Sequence, residues 1–86
     1  MRIVLDKPKN LKGVLAIITE DARKYKLSFS GDLSRGAGSG FGCEGSYTIN
    51  DTHVIITVLK KPFFVSDTKA EKEVKKYWTQ VCAKAS

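Results

Sequence analysis

The sequence is poor in cysteine, histidine and proline, and each shortage excludes a class of protein. Its 86 residues include 2 cysteines, 1 histidine and 2 prolines. Two cysteines as far apart as Cys43 and Cys82 form neither a disulfide framework nor a CxxC motif. The sequence predicts no metal site, because it has one histidine, His53, and no CxxC motif. No hydrophobic run approaches the ~18 residues of a membrane span.

What remains is the composition of one small globular domain over residues 1–86. Hydrophobic residues make up 42% and charged residues 28% of the chain, which is ordinary for a soluble protein. Residues 1–6 lack the apolar region of a signal peptide, so we expect a cytoplasmic, reduced protein. The net charge of +6, from 15 basic and 9 acidic residues, suits an anionic partner as well as simple solubility.

Two amphipathic helices are predicted. The first covers residues 10–25, with Asn10 as its N-cap and an apolar stripe of Leu11, Val14, Leu15, Ile18, Ala22 and Tyr25. The second follows a capping box of Thr68 and Glu71, with Phe64 or Val65 as the hydrophobic staple. Its apolar stripe consists of Ala70, Val74, Tyr77, Trp78, Val81 and Cys82.

Alternating residues predict four strands, near 1–5, 27–30, 41–49 and 54–59, with residues 34–40 as a flexible glycine-rich stretch. The last two strands form a hairpin whose apolar residues share one face: Phe41, Cys43, Tyr47, Ile49, Val54, Ile56 and Val58. Both helices need that face. The sequence therefore predicts an α+β two-layer sandwich of order β-α-β-β-β-α, with a mainly antiparallel sheet and both helices on one side.

The glycine-rich stretch contains two motifs that fail in their context. Residues 40–45 match GxGxxG, but a strand follows where a dinucleotide site needs a helix. Residues 39–43 echo an RNA-recognition strand, but the order of elements is wrong for that domain. The even-numbered glycines at 36–42 instead favour a bent strand, a bulge or close backbone contact.

Two surfaces are candidates for partner binding. Val4, Ile55 and Leu59 are predicted to point away from the helices, beside the even-numbered glycines, as an apolar patch for a partner or a second copy. Residues 60–86 carry seven lysines against three acidic residues. The lysines proposed to contact an anionic partner are Lys60, Lys61, Lys69, Lys72 and Lys76. A solvated helix face is the simpler interpretation of the same lysines.

Segments 23–25, 27–32 and 45–49 resemble the small polyhydroxyalkanoic acid system (granule-region) proteins of bacteria. The resemblance covers most of the chain in layout: a first helix, a glycine-bearing meander and a C-terminal helix. The chain departs from that family in its glycine run at 36–42 and at residues 60–64. The resemblance implies association with polyester storage granules, but it implies no established activity and no functional residues.

Together these observations predict a small non-enzymatic binding module without a cofactor. The expected partner is a protein, a second copy or a granule surface that docks on the open sheet face. The alternative is nucleic-acid binding through the basic C-terminal helix. A small hydrolase or transferase would need a pocket, which the sequence does not reveal.

Overall fold

The computed structural model describes residues 1–85, which form five strands and two helices in the order β-α-β-β-β-β-α. The strands are β1 (Arg2–Asp6), β2 (Ser28–Gly31), β3 (Arg35–Gly40), β4 (Cys43–Ile49) and β5 (His53–Lys60). The helices are α1 (Leu11–Lys24) and α2 (Asp67–Ala85). Neither helix in this part of the chain is both long and apolar enough to span a membrane.

The five strands form one antiparallel sheet in the order β1-β5-β4-β3-β2. Strands β2 to β5 follow one another as a meander, and β1 lies antiparallel to β5, with Ile3 opposite Ile56. The α+β class and the antiparallel sheet are confirmed. The prediction that residues 34–40 are a flexible stretch is wrong, because β3 forms ladders with β2 and β4 that outweigh the low strand propensity of glycine.

Helix α1 has the predicted beginning and an end that the sequence did not indicate. The Asn10 side chain accepts a hydrogen bond from the Gly13 N–H at 3.1 Å. At the other end, the Leu27 N–H donates to the Ala22 carbonyl at 2.7 Å, which is the long bond of a Schellman motif. Lys26 takes the left-handed position, with φ of 58°, where glycine is the usual residue.

The N-cap of helix α2 lies two residues earlier than predicted. The Ser66 hydroxyl accepts a hydrogen bond from the Lys69 N–H at 3.1 Å, so Ser66 is the N-cap and the prediction of Thr68 is wrong. Val65 and Ala70 then hold the two positions of a hydrophobic staple. Phe64 does not contribute to it, because its side chain is exposed.

Both helices pack on the same face of the sheet. The buried core consists of Ile3, Leu5, Leu11, Val14, Ala22, Tyr47, Val54 and Val81. The half-buried Trp78 packs against this cluster, as its place on the α2 stripe predicts. The helices also bond to each other, from the Asn10 side chain to the Ala85 carbonyl at 2.7 Å and from Tyr77 to Asp21 at 2.7 Å.

The predicted hairpin face is confirmed in its centre and wrong at its tip. Tyr47 lies opposite Ile56 and Ile49 opposite Val54, with these apolar side chains toward the helices. Phe41 and Cys43 are exposed, since Phe41 lies in the β3–β4 turn and Cys43 at the first position of β4. The alternation of β4 does not extend across the turn, so the prediction of Phe41 as an inward-facing core residue is wrong. Cys43 lies opposite Gly40 on the side of the sheet that faces the helices, as predicted, but the prediction that it is buried is wrong.

Candidate functional site

A gap lined mainly by apolar side chains lies between the helices and the sheet. It has a narrow compartment of about 250 Å³ and a wide compartment of about 600 Å³. We call the two together the apolar cavity. The residues that line both compartments are Ile18, Phe29, Gly38, Gly45, Val74 and Tyr77. The wide compartment falls within the range of about 300–1,000 Å³ that is typical of small-molecule sites.

Glycines form the floor of the cavity. Gly38 on β3 lies directly opposite Gly45 on β4, and both line the two compartments. A side chain at either position would point toward the helices, and its Cβ would lie 3.1 Å from a carbonyl oxygen of the neighbouring strand, that of Ser28 for Gly38 and that of Thr57 for Gly45. The even-numbered glycines of β3 therefore face the helices and not the open sheet face, because β3 is a separate strand with its own alternation. The placement of these glycines beside Val4, Ile55 and Leu59 is wrong.

Small and medium side chains form the roof. Ala22 of α1 and Ala70 of α2 line the wide compartment, and Val74 lines both compartments. The Tyr77 hydroxyl donates to the Asp21 carboxylate at 2.7 Å and so joins α1 to α2 above the cavity. Burial and this hydrogen bond raise the pKa of Tyr77 well above its usual value, which keeps the phenol protonated and donating. The Tyr77–Asp21 hydrogen bond therefore holds the two helices together, although few large side chains fill the space between them and the sheet.

Tyr47 forms the wall between the cavity and the packed core. Gly36 lies opposite Tyr47, and a Cβ at Gly36 would come within 2.5 Å of the Tyr47 ring. The ring stacks on Phe29 with centroids 6.0 Å apart, and the hydroxyl donates to the Asp32 carbonyl at 2.8 Å. Burial, followed by the nearby Asp32 charge, raises the pKa of Tyr47. Glycine is therefore required at position 36, because any side chain there would displace the Tyr47 ring.

The wide compartment opens at a rim of mixed charge. Its polar lining comprises Asp21, Tyr25, Ser28, Ser39, Cys43, Glu44, Lys61, Lys69, Glu73 and Tyr77. The Lys61 ammonium donates to the Val65 carbonyl at 2.7 Å and pairs with Asp67 at 3.1 Å. Lys61 therefore holds the segment before α2 in place. Acidic and basic groups nearly balance at the rim, so the cavity does not select an anion by charge.

The predicted apolar patch lies on the other face of the sheet. Val4 and Ile55 are opposite each other on β1 and β5, and the side chain of Val4 is 53% exposed. Leu59 is 63% exposed and is the extra residue of a β-bulge, because Glu44 lies opposite Lys60 and Gly45 opposite Val58. The structure brings Val4 and Ile55 together, whereas Leu59 lies four residues farther along β5.

The predicted basic surface divides into two groups. Lys61 and Lys69 line the wide compartment, and Lys60 lies opposite the rim residue Glu44 on the neighbouring strand. Lys61 is bonded as described above. Lys72 and Lys76 are exposed farther along α2. Lys75 pairs with Glu71 at 3.5 Å, which is ordinary pairing along a helix. The lysines therefore do not form one continuous stripe of unpaired positive charge.

Sequence reasoning missed the apolar cavity and therefore its lining. The only available signal was the glycine spacing at 36, 38 and 40, which indicates a strand face without side chains. Glycine spacing alone does not show whether the glycines face the helices or the open side of the sheet, because that depends on the strand register. Among residues 1–85, no three histidine, cysteine or acidic side chains are placed to hold a metal ion.

Comparisons with protein-family models, with curated proteins and with solved structures find no match to this chain. The resemblance to the polyhydroxyalkanoic acid system proteins thus stays a prediction.

Proposed function

We propose that this protein is a binding module that holds an aliphatic chain in the apolar cavity. The observation that carries the proposal is the paired glycine floor of Gly38 and Gly45 beneath Ala70 and Val74. In a closely packed interior, side chains normally fill such a space. Here small residues on both layers leave it open, and its lining offers mainly apolar contact.

Binding is favoured over catalysis because three polar groups of the lining are already engaged. Tyr47 bonds to the Asp32 carbonyl, Tyr77 to Asp21, and Lys61 to Val65 and Asp67. The narrow compartment adds aliphatic and aromatic side chains, including the only tryptophan, Trp78. The chain of the ligand would occupy the narrow compartment, and its polar end would reach the rim. An exposed free thiol at Cys43 fits a reducing, cytoplasmic setting.

Titration with linear alcohols and fatty acids tests the proposal, with Trp78 fluorescence as the readout. Because each buried methylene contributes about 0.8 kcal/mol, decanol, with two more methylenes, should bind about 15-fold more tightly than octanol. Decanol and decanoic acid separate the contribution of the chain from that of the head group. We expect the chain to dominate, since charge at the rim is nearly balanced.

A matched pair of variants locates the site. Ala70→Phe places a ring in the wide compartment and should weaken decanol binding at least tenfold. Ala16→Phe makes the same change on an exposed position of α1, outside the lining, and should leave binding unchanged. Equal affinity for octanol and decanol, or equal binding by Ala70→Phe and the native protein, would contradict the proposal.

A further inference from the structure

Three exposed phenylalanines stand at one end of the molecule. Phe41, Phe63 and Phe64 are 78%, 98% and 76% exposed. We call them the aromatic tip. A carbon added at Gly42, beside Phe41, would lie 3.6 Å from the ring of Pro62, which precedes Phe63. The β3–β4 turn and the segment before α2 are therefore neighbours, and the three rings belong to one end of the fold.

The turn that carries Phe63 and Phe64 is fixed. The Val65 N–H donates to the Pro62 carbonyl at 3.0 Å, which places the two phenylalanines at the corners of a β-turn. Lys61 bonds to the Val65 carbonyl and pairs with Asp67, and this closes the segment from the other side. The two rings pack edge to face with centroids 5.7 Å apart. Neither phenylalanine has a positive φ, so the turn accepts most residues, and the feature that needs an explanation is the exposure of two large apolar rings at its corners.

Phe41 holds an unfavourable backbone conformation without gaining burial. Phe41 and Gly42 have φ of 52° and 79°, which are the positive angles of a two-residue hairpin turn of type I′. Asparagine or glycine normally occupies the position of Phe41. The chain thus places an aromatic ring where it is strained and exposed, which is unfavourable for the isolated domain and useful for contact with a partner.

The aromatic tip lies at the opening of the apolar cavity. Phe41 and Val65 line the wide compartment, together with Lys61 and Lys69 at its rim. Lys60 precedes the turn and is exposed, as is Lys69. Glu44 and Glu73 line the same rim, so the attraction to an anionic bilayer comes from the net charge of +6 on the whole chain together with the exposed lysines. The rings enter the acyl boundary and the lysines meet the head groups.

We propose that the aromatic tip docks on an anionic lipid surface and brings the mouth of the cavity to it. The choice of a lipid surface over a protein partner rests on the proposed function, because a ligand with an aliphatic chain resides in lipid. Three features converge on this occupant: ring exposure, neighbouring lysines, and continuity with a cavity that takes aliphatic chains.

Co-sedimentation with vesicles tests this docking. The native protein should bind vesicles of phosphatidylcholine with phosphatidylglycerol more tightly than vesicles of phosphatidylcholine alone. The double variant Phe63→Ser and Phe64→Ser should lose at least tenfold in binding, because two exposed rings no longer enter the bilayer. Leu33→Ser is the matched control, since Leu33 is an exposed apolar residue in the β2–β3 turn at the opposite end of the sheet. Its binding should stay unchanged.

A second matched pair tests the lysines. Lys60→Gln with Lys69→Gln should weaken binding to the anionic vesicles by up to about 25-fold, at about fivefold for each lysine near the surface. Lys7→Gln with Lys9→Gln removes the same charge from the loop between β1 and α1, at the other end of the sheet. That control should change binding much less.

Phe41→Asn separates a docking role from a structural one. Asparagine tolerates the left-handed conformation better than phenylalanine, so the variant should melt at a higher temperature than the native protein. Its binding to anionic vesicles should nevertheless fall. A variant that is more stable and equally bound would contradict the role of Phe41 at the lipid surface.

The remaining outcomes distinguish the docking from the cavity. Ala70→Phe fills the cavity and should still bind vesicles as the native protein does. Decanol binding without vesicle binding would overturn the docking and leave the proposed function intact. Vesicle binding without decanol binding would overturn the proposed function and leave the docking intact. Self-association through Phe63 and Phe64, seen as a dimer that their replacement dissolves, would also overturn the docking.

Discussion

The space between the helices and the sheet is packed at one end and open at the other, although both ends have the same two-layer architecture. At the packed end, Leu11, Val14 and Val81 are buried, and the helices are joined through Asn10 and Ala85. At the open end, the sheet carries Gly38 and Gly45, and α2 carries Ala70 and Val74. The backbone continues across both ends. The difference lies in side-chain volume, which decides whether the same two layers enclose a core or a cavity.

Two positions on α2 allow this comparison to be measured with one substitution. Val81 is 1% exposed and lies outside both compartments, whereas Val74 lies seven residues earlier and lines both. We expect Val81→Ala to cost about 2–3 kcal/mol of unfolding free energy, since it leaves a void among packed side chains. Val74→Ala should cost about 1 kcal/mol, because its neighbours already border open space. Urea denaturation measures both, and equal costs would contradict the division into two ends.

Much of the packed end could be predicted from the sequence. The stripe from Leu11 to Ala22 has a helical period, and the alternation in β4 and β5 places Tyr47 and Val54 on one face. Hydrophobic periodicity is strong there because large apolar side chains occupy each inward position. The same rule placed Trp78 against the core, where the structure has it.

The open end could not be predicted in the same way, because the inward positions of its strands are glycines. Gly36 and Gly38 have no hydropathy pattern, so β3 resembled a loop and its inward face was assigned to the wrong side. The exposure of Phe41 follows from a turn with positive φ at a residue that rarely adopts it. Both errors arise where strand register and turn geometry, and not hydrophobic periodicity, decide which way a residue faces.

Enlarging the same two side chains sharpens the contrast in the opposite direction. Val81→Phe overfills a packed site and should destabilise the protein by about 1–3 kcal/mol. Val74→Phe extends into the cavity, so the free energy of unfolding should change by less than about 0.5 kcal/mol while decanol binding weakens. Helix propensity changes equally at both positions and therefore cancels. Comparable destabilisation by the two variants would show that no cavity lies beneath Val74.

The smallest expected effect concerns the turn that anchors the wall between the two ends. The N–H of Arg35 and then that of Ser34 bond to the Asp32 carboxylate and hold its pKa below its usual value of 3.8. A lowered pKa stabilises the fold above the usual value, and this contribution disappears as the pH falls below it. Asp32→Ala should therefore lower the melting temperature at neutral pH, with a difference that shrinks in acid. A difference that is constant with pH would contradict this role.

The location of a bound aliphatic chain tests the account most directly. The measurement is the set of intermolecular NOEs between decanol and the methyl groups of the isotope-labelled protein. We predict NOEs to Ile18, Val58 and Val74, which line the apolar cavity. NOEs to Val4 and Ile55 on the open face of the sheet, or the absence of any NOE at saturating decanol, would contradict the central claim.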